Sequence, residues 1–242
     1  MNVYPINELA GAALTSAQRA THSDLRSLHD AYFAYTVDFT SPNPIVMGTW
    51  SAPFECDTVI IGNTNMRTVR CTLRLGNTSG ENVFTRTVVA GGEIMIITLP
   101  QKTTADHIRL TFTGAAGENM YLGQLFVGRA ITLPRFVTLP QTNLQMRQDS
   151  ERTFGGQVGG VPSEMLRTFA ASFARVSAED MRAIDEYAQS AQNVIPHFID
   201  PYPEARGHVP PMFATIERMG ERAKRAENTF YWNTSISWKE AK

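Results

Sequence analysis

Met120-Tyr121-Leu122-Gly123-Gln124-Leu125-Phe126-Val127-Gly128-Arg129-Ala130-Ile131-Thr132-Leu133-Pro134-Arg135 closes one run of alternating strands and opens a differently organised half. It is read as a seam between a compact β module and an α+β module. The expected division is a partly helical arm at 1–33, an antiparallel β-sandwich at 34–128, and a β-rich domain at 129–242 with one or two helices and a C-terminal strand. The expected fold class is therefore mainly β with some α.

Before the seam, Val69, Cys71, Leu73 and Leu75 alternate with Arg70, Thr72 and Arg74, and Ile108, Leu110 and Phe112 alternate with His107, Arg109 and Thr111. Period-two patterns of this kind mark half-buried strands with one apolar and one polar, basic face. The runs from Thr58 to Ile61 and from Ile94 to Leu99 are nearly all apolar and read as central strands covered on both sides. Turn signals separate them, among them Pro42-Asn43-Pro44, Gly62-Asn63-Thr64-Asn65 and Gly91-Gly92. Short strands at that spacing suggest an antiparallel sandwich. Further upstream, Leu14, Ala17, Leu25, Leu28 and Tyr32 have partly helical spacing, which predicts the arm.

After the seam, Phe154-Gly155-Gly156-Gln157-Val158-Gly159-Gly160 lacks the Gly-Lys-Ser/Thr of a phosphate cradle, so a turn or subunit-contact loop is expected. Leu166 to Val176 alternates as a strand, with a helix as the alternative. Ser177-Ala178-Glu179-Asp180 has the form of a capping box, and Met181, Ile184, Ala188 and Ala191, with Tyr187 beside them, form the apolar stripe of the helix it opens. That helix should end before Pro196. Phe213 to Asn228 reads as a second, charged helix, with Glu217, Glu221 and Arg225 at i,i+4 spacing. Last, Phe230, Trp232, Thr234, Ile236 and Trp238 alternate with polar residues in a terminal strand that is either core or an edge extending a sheet to another subunit.

Composition narrows the function classes. A chain of 242 residues with 43% apolar and 19% charged residues can bury a proper core, and a net charge of -1 provides no global field for nucleic acid. No run approaches a membrane span, and the start lacks the pattern of a signal peptide, so neither membrane insertion nor export is expected. Cys56 and Cys71 are read as buried thiols, with a disulfide as the alternative. The five histidines are scattered without ligand spacing, so no metal or cofactor is expected. No local motif supplies a nucleophile with its base, or an acid–base pair, so the chain is not expected to be an enzyme. Binding is assigned instead to Asn65, Arg67, Arg70 and Arg74 on the polar face of the first module, and assembly contacts to Phe154, Val158, Trp232 and Trp238.

The first module resembles a galactose-binding-like jelly roll through Phe54 to Asn65, the Val69 to Leu75 strand and His107-Ile108-Arg109-Leu110-Thr111-Phe112. The phrase Tyr121-Leu122-Gly123-Gln124-Leu125-Phe126-Val127-Gly128-Arg129 resembles the end of such modules in tailed-bacteriophage virion proteins. The stretch from Phe173 to Asp180, His197-Phe198-Ile199-Asp200-Pro201 and Ser237-Trp238-Lys239-Glu240-Ala241 resemble the strand, helix, strand plan of ring-forming tail proteins. The resemblance implies a structural virion subunit, a ring-forming distal-tail, tail-tip or neck component. It would be assembled in the host cytoplasm and partnered by copies of itself and by other tail or neck proteins. A host-receptor or carbohydrate-binding tail protein, acting through the jelly roll on a surface glycan, is the alternative.

Overall fold

The computed structural model describes residues 1–30, 33–76, 80–89, 94–114, 118–136, 141–146, 149–152, 158–161, 165–191, 195–204, 210–220, 223–225 and 228–241. Its first strands are β1 (Asn2–Tyr4), β2 (Ala13–Thr15), β3 (Val37–Phe39), β4 (Ile45–Thr64), β5 (Thr68–Leu75), β6 (Glu81–Val89), β7 (Ile94–Thr113), β8 (Met120–Gly128) and β9 (Ile131–Thr132). There follow β10 (Gln141–Met146), β11 (Asp149–Arg152), β12 (Val158–Val161), β13 (Met165–Val176), helix α1 (Ala178–Ala191), β14 (His197–Asp200), β15 (Met212–Met219), β16 (Ala223–Arg225) and β17 (Asn228–Glu240).

The jelly-roll sandwich is built on two long strands, β4 and β7, of 20 residues each. They pair antiparallel along their lengths, with register shifts between Thr49 and Phe54 and between Cys56 and Thr58. Such irregularities bend and twist a strand pair. The two halves of the pair therefore serve two layers. One layer runs β2-β4-β7-β5-β6 and the other β3-β8-β4-β7. Val46, Val59, Ile61, Val69, Leu73, Ile97, Leu110, Phe112, Leu125 and Val127 meet in the core between them. Cys56 and Cys71 are free thiols in that core.

The second sheet has the order β10-β13-β17-β15-β14-β1-β9, with β16 on β17, while β11 and β12 form a separate hairpin. Helix α1 packs on this sheet through Met181, Ile184, Tyr187 and Ala191. Its capping differs in one detail from the expected box. The Ser177 hydroxyl accepts from the Asp180 N–H at 3.1 Å, but the Asp180 carboxylate accepts from the Ser177 hydroxyl at 2.8 Å rather than from a backbone N–H.

The described residues from Phe213 to Asn228 form strands rather than a second helix: β15 lies between β14 and β17, and β16 pairs with β17. Met212, Phe213, Ala214 and Ile216 are buried, and burial in a sheet outweighs the weak i,i+4 charge pattern on which the helix rested. Among the described residues of the arm, the helical spacing yields two 3-10 turns, Glu8–Gly11 and Leu25–His29, capped by Asn7 and Asp24. Leu9, Leu25 and Leu28 supply the apolar anchors, while the intervening Gly, Thr, Ser and Asp residues favour turns and caps. Tyr32 lies outside the described residues. Leu166 to Val176 is a strand, with Phe169, Ala171 and Phe173 turned to the helix side.

The two sheets are joined by an aromatic cluster of Tyr4 (β1), Ile60 (β4), Phe126 (β8), Phe198 (β14) and Phe213 (β15). Ring centroids lie 5.7 Å apart for Tyr4–Phe126, 6.4 Å for Phe126–Phe198 and 5.0 Å for Phe198–Phe213. Replacing a large buried aromatic by alanine removes its transfer energy and leaves a cavity. Phe126→Ala and Phe198→Ala should each lower the unfolding free energy by about 3–5 kcal/mol in urea titrations. A loss under about 1 kcal/mol would show that the junction is not packed as described.

Burial raises the Cys56 thiol to about 12, with help from Asp57, and raises Cys71 as well. Thiolate is the reactive form. Iodoacetamide at pH 8 should therefore leave both cysteines unmodified in the folded protein and alkylate both after denaturation, as read by intact mass.

Candidate functional site

The polar face singled out in the sequence is the outward side of the β2-β4-β7-β5-β6 layer. Strand alternation puts Val69, Cys71 and Leu73 in the core and leaves Arg70, Thr72 and Arg74 on the other side. The ladder extends each of these into a row. Thr87, Arg70, Thr111 and Ile45 form one row; Thr85, Thr72, Arg109 and Met47 form the next; Asn82, Arg74, His107 and Thr49 form the third. Arg109 therefore stands between Arg70 and Arg74. It was absent from the predicted set, although its alternation with Leu110 showed it on the polar face.

The four predicted binding residues divide. Arg70 is exposed on this face, and Arg74 is half-buried and donates from Nε to Asn82 Oδ1 at 2.7 Å. Arg67 is exposed at the adjoining turn, where its backbone N–H donates to the Thr113 carbonyl. Asn65 is half-buried at the turn, where its Nδ2 donates to the Asn119 carbonyl at 2.8 Å and its Oδ1 accepts from the Tyr121 N–H at 3.0 Å. These bonds tie the β4–β5 turn to the start of β8. His107, buried beneath the face, shares a 3.1 Å hydrogen bond between Nδ1 and Thr49 Oγ1. Its pKa is lowered first by burial and then by Arg74, with Arg109 adding to the effect and Asp106 opposing it.

The predicted assembly residues divide too. Phe154 lies outside the described residues, and Val158 begins β12, paired with Arg152 of β11. Trp232 is half-buried against the helix-side core. Trp238 is fully buried and has no surface to offer a partner. Its indole belongs to a closed polar line instead: Nε1–H donates to the Tyr187 hydroxyl at 2.5 Å, Tyr187 shares a 2.6 Å bond with His197 Nε2, and His197 Nδ1 faces the Ile195 carbonyl at 3.0 Å. A neutral histidine with its proton on Nδ1 satisfies every member. The line fastens α1 to β14 and β17.

These groups hold the fold together. The same is true of the buried Glu240, whose carboxylate takes hydrogen bonds from Arg167 Nε and Nη2 at 2.9 and 2.6 Å. Among the described residues, no group of three or more His, Cys, Asp or Glu side chains could hold a metal ion. No described helix is long and apolar enough to cross a membrane.

No family model matches the chain, and no curated protein does. Among solved structures, it is similar to a GH29 fucosidase from Ruminococcus gnavus in complex with fucose, at 14% identity and TM-score 0.48. That overlay covers 53% of this chain, which spans 27% of the fucosidase chain. It is also similar to the family 32 carbohydrate-binding module of NanJ from Clostridium perfringens, in complex with galactose, at 11% identity and TM-score 0.42 over 52% of this chain and 98% of that one. A fucose-binding module from Streptococcus pneumoniae overlays 51% of this chain and 95% of its own at 14% identity and TM-score 0.43.

The buried polar line gives a pH signature. Burial lowers His197 from its ordinary 6.5 to about 4, against the opposing bond to the Ile195 carbonyl. Between these values the unfolded chain binds a proton that the folded protein does not. The stability contribution is complete above about pH 6.5 and is lost as pH falls toward 4, by about 3 kcal/mol in all. Urea midpoints measured from pH 7.5 to 4 should fall across that window. A His197→Gln variant should lose this component of the slope, and an unchanged slope would remove His197 as its source.

Proposed function

We propose that this protein is a non-catalytic structural subunit of a tailed-phage virion, a ring-forming distal-tail, tail-tip or neck component that connects other virion proteins. One observation carries the reading: the two β modules are fastened through the aromatic cluster around Phe126, with the strand Asn2–Tyr4 inserted between β14 and β9 of the second sheet. A connector must hold its neighbours at a fixed angle, and a buried aromatic junction does this better than a flexible linker. The strand and helix phrases that resemble virion proteins support the same reading. In it, the second module builds the ring, and the jelly roll projects as an adaptor or decoration.

A second reading, glycan recognition through the jelly roll, is favoured by the arginine- and threonine-bearing outer face of β5 and β7. The fucosidase is in complex with fucose and the NanJ module with galactose, and the pneumococcal module binds fucose.

The assembly reading predicts that purified protein forms a closed ring of defined copy number, visible by negative-stain microscopy and stable on dilution in mass photometry. Strict monomers at the highest soluble concentration would overturn it.

A further inference from the structure

The outward face of the β2-β4-β7-β5-β6 layer concentrates positive charge in a chain whose net charge is only -1. Arg109 is directly opposite Thr72 and therefore diagonal to both Arg70 and Arg74, at roughly 7–8 Å by sheet geometry. The three rows across this face contain no carboxylate. Asp106 lies at the end of the face, where Oδ2 accepts the Gly76 N–H at 3.0 Å. Among the described residues, Arg70 and Arg109 enter no ion pair. Clustering like charges on a sheet opposes folding by a few tenths of a kcal/mol per pair, so the arrangement suits an anionic ligand better than it suits stability alone.

The remaining chemistry of the face selects among anions. Thr85, Thr87 and Thr111 flank the arginines with hydroxyls, while Thr72 is buried and its Oγ1 accepts from the Thr85 hydroxyl at 3.4 Å; the three rows contain no Phe, Tyr or Trp. A neutral sugar would lack an aromatic platform for its apolar face, and nucleic-acid bases would lack a stacking surface. Sulfate and carboxylate groups, by contrast, match the planar donor fork of arginine.

We infer that this sheet face binds an acidic polysaccharide, an extended sugar chain bearing sulfate or carboxylate groups. Arg70 and Arg109 pair with its anionic groups, Arg74 extends the track, and threonine hydroxyls bond the sugar hydroxyls between them. The inference rests on the glycan reading of the jelly roll and is independent of ring formation.

Chromatography of the full chain on dextran sulfate, with uncharged dextran as the control matrix, tests it. The protein should be retained only on dextran sulfate, and salt should release it as counterions displace the contacts. R70E/R109E should bind about tenfold or more weakly. R135E/R182E, which makes the same change in net charge with exposed arginines of the second module, should bind like the unmodified protein. If R70E/R109E does not fold by circular dichroism, R70Q/R109Q provides the same comparison and should also weaken binding.

Absence of retention, or equal weakening by R135E/R182E, overturns the inference. Tighter binding to single-stranded DNA than to dextran sulfate also overturns it by naming another class of ligand. Binding to neutral galactose- or fucose-containing glycans that survives R70E/R109E would leave the glycan reading standing and overturn the acidic ligand. No binding to any charged or neutral glycan would remove both.

Discussion

The architecture depends on strands that bury both faces against different partners. In β8, Leu125 and Val127 enter the sandwich core while Phe126, between them, enters the aromatic junction. In β1, Val3 turns to the helix-side core and Tyr4 to the junction; in β14 and β15, Ile199 and Ala214 face the helix while Phe198 and Phe213 face the jelly roll. Because side chains alternate with period two, a one-residue slip in any of these strands would exchange the two partners. Packing on either side therefore fixes register on the other. The aromatic contacts between the modules are consequences of the same backbone pairing that builds each sheet.

This constraint also separates the surfaces available for function. The jelly-roll layer containing the second half of β4 and the first half of β7 is covered by the second module through Ile60, Ile94 and Ile96. The opposite layer keeps its outward face, and there the alternation of β5 and β7 presents arginine and threonine above the buried His107. The bends in β4 and β7 allow the same two strands to supply both the covered layer and the open one. A single strand pair thus joins the structural interface to the candidate recognition surface.

Much of this was legible because strand alternation is a local property. Ile108 to Phe112 and Trp232 to Trp238 carry their burial pattern in neighbouring residues, and the serine cap of α1 lies next to its helix; in the alternation from Val69 to Leu75, Val69, Cys71 and Leu73 are buried as expected, but Leu75 is exposed and Thr72 is buried. The failures came where a partner distant in sequence decides. Phe213 to Ile216 becomes a strand because His197–Asp200 and Asn228–Glu240 lie on its two sides, and short-range charge spacing contains no trace of either. At Asn65, nothing local reveals the hydrogen bonds to Asn119 and Tyr121 that tie its turn to β8. Arg109 was visible as a polar-face residue, but its position between Arg70 and Arg74 follows only from the β5–β7 register.

The fate of Trp238 shows why aromatic content alone does not identify a contact surface. An indole at an edge can anchor a partner because it offers a large apolar area and one hydrogen-bond donor. Here both needs are met internally: Phe169 lies 5.5 Å away by ring centroid, and Tyr187 accepts the indole N–H. Tyr187 can do so because its own proton is directed to His197, whose remaining ring nitrogen is held by a carbonyl two residues away. Each polar group thereby makes the burial of the next tolerable, and together they set the position of α1 on the sheet more narrowly than apolar contact alone would. The indole, phenol and imidazole of this line are thus occupied in positioning the elements of the second sheet.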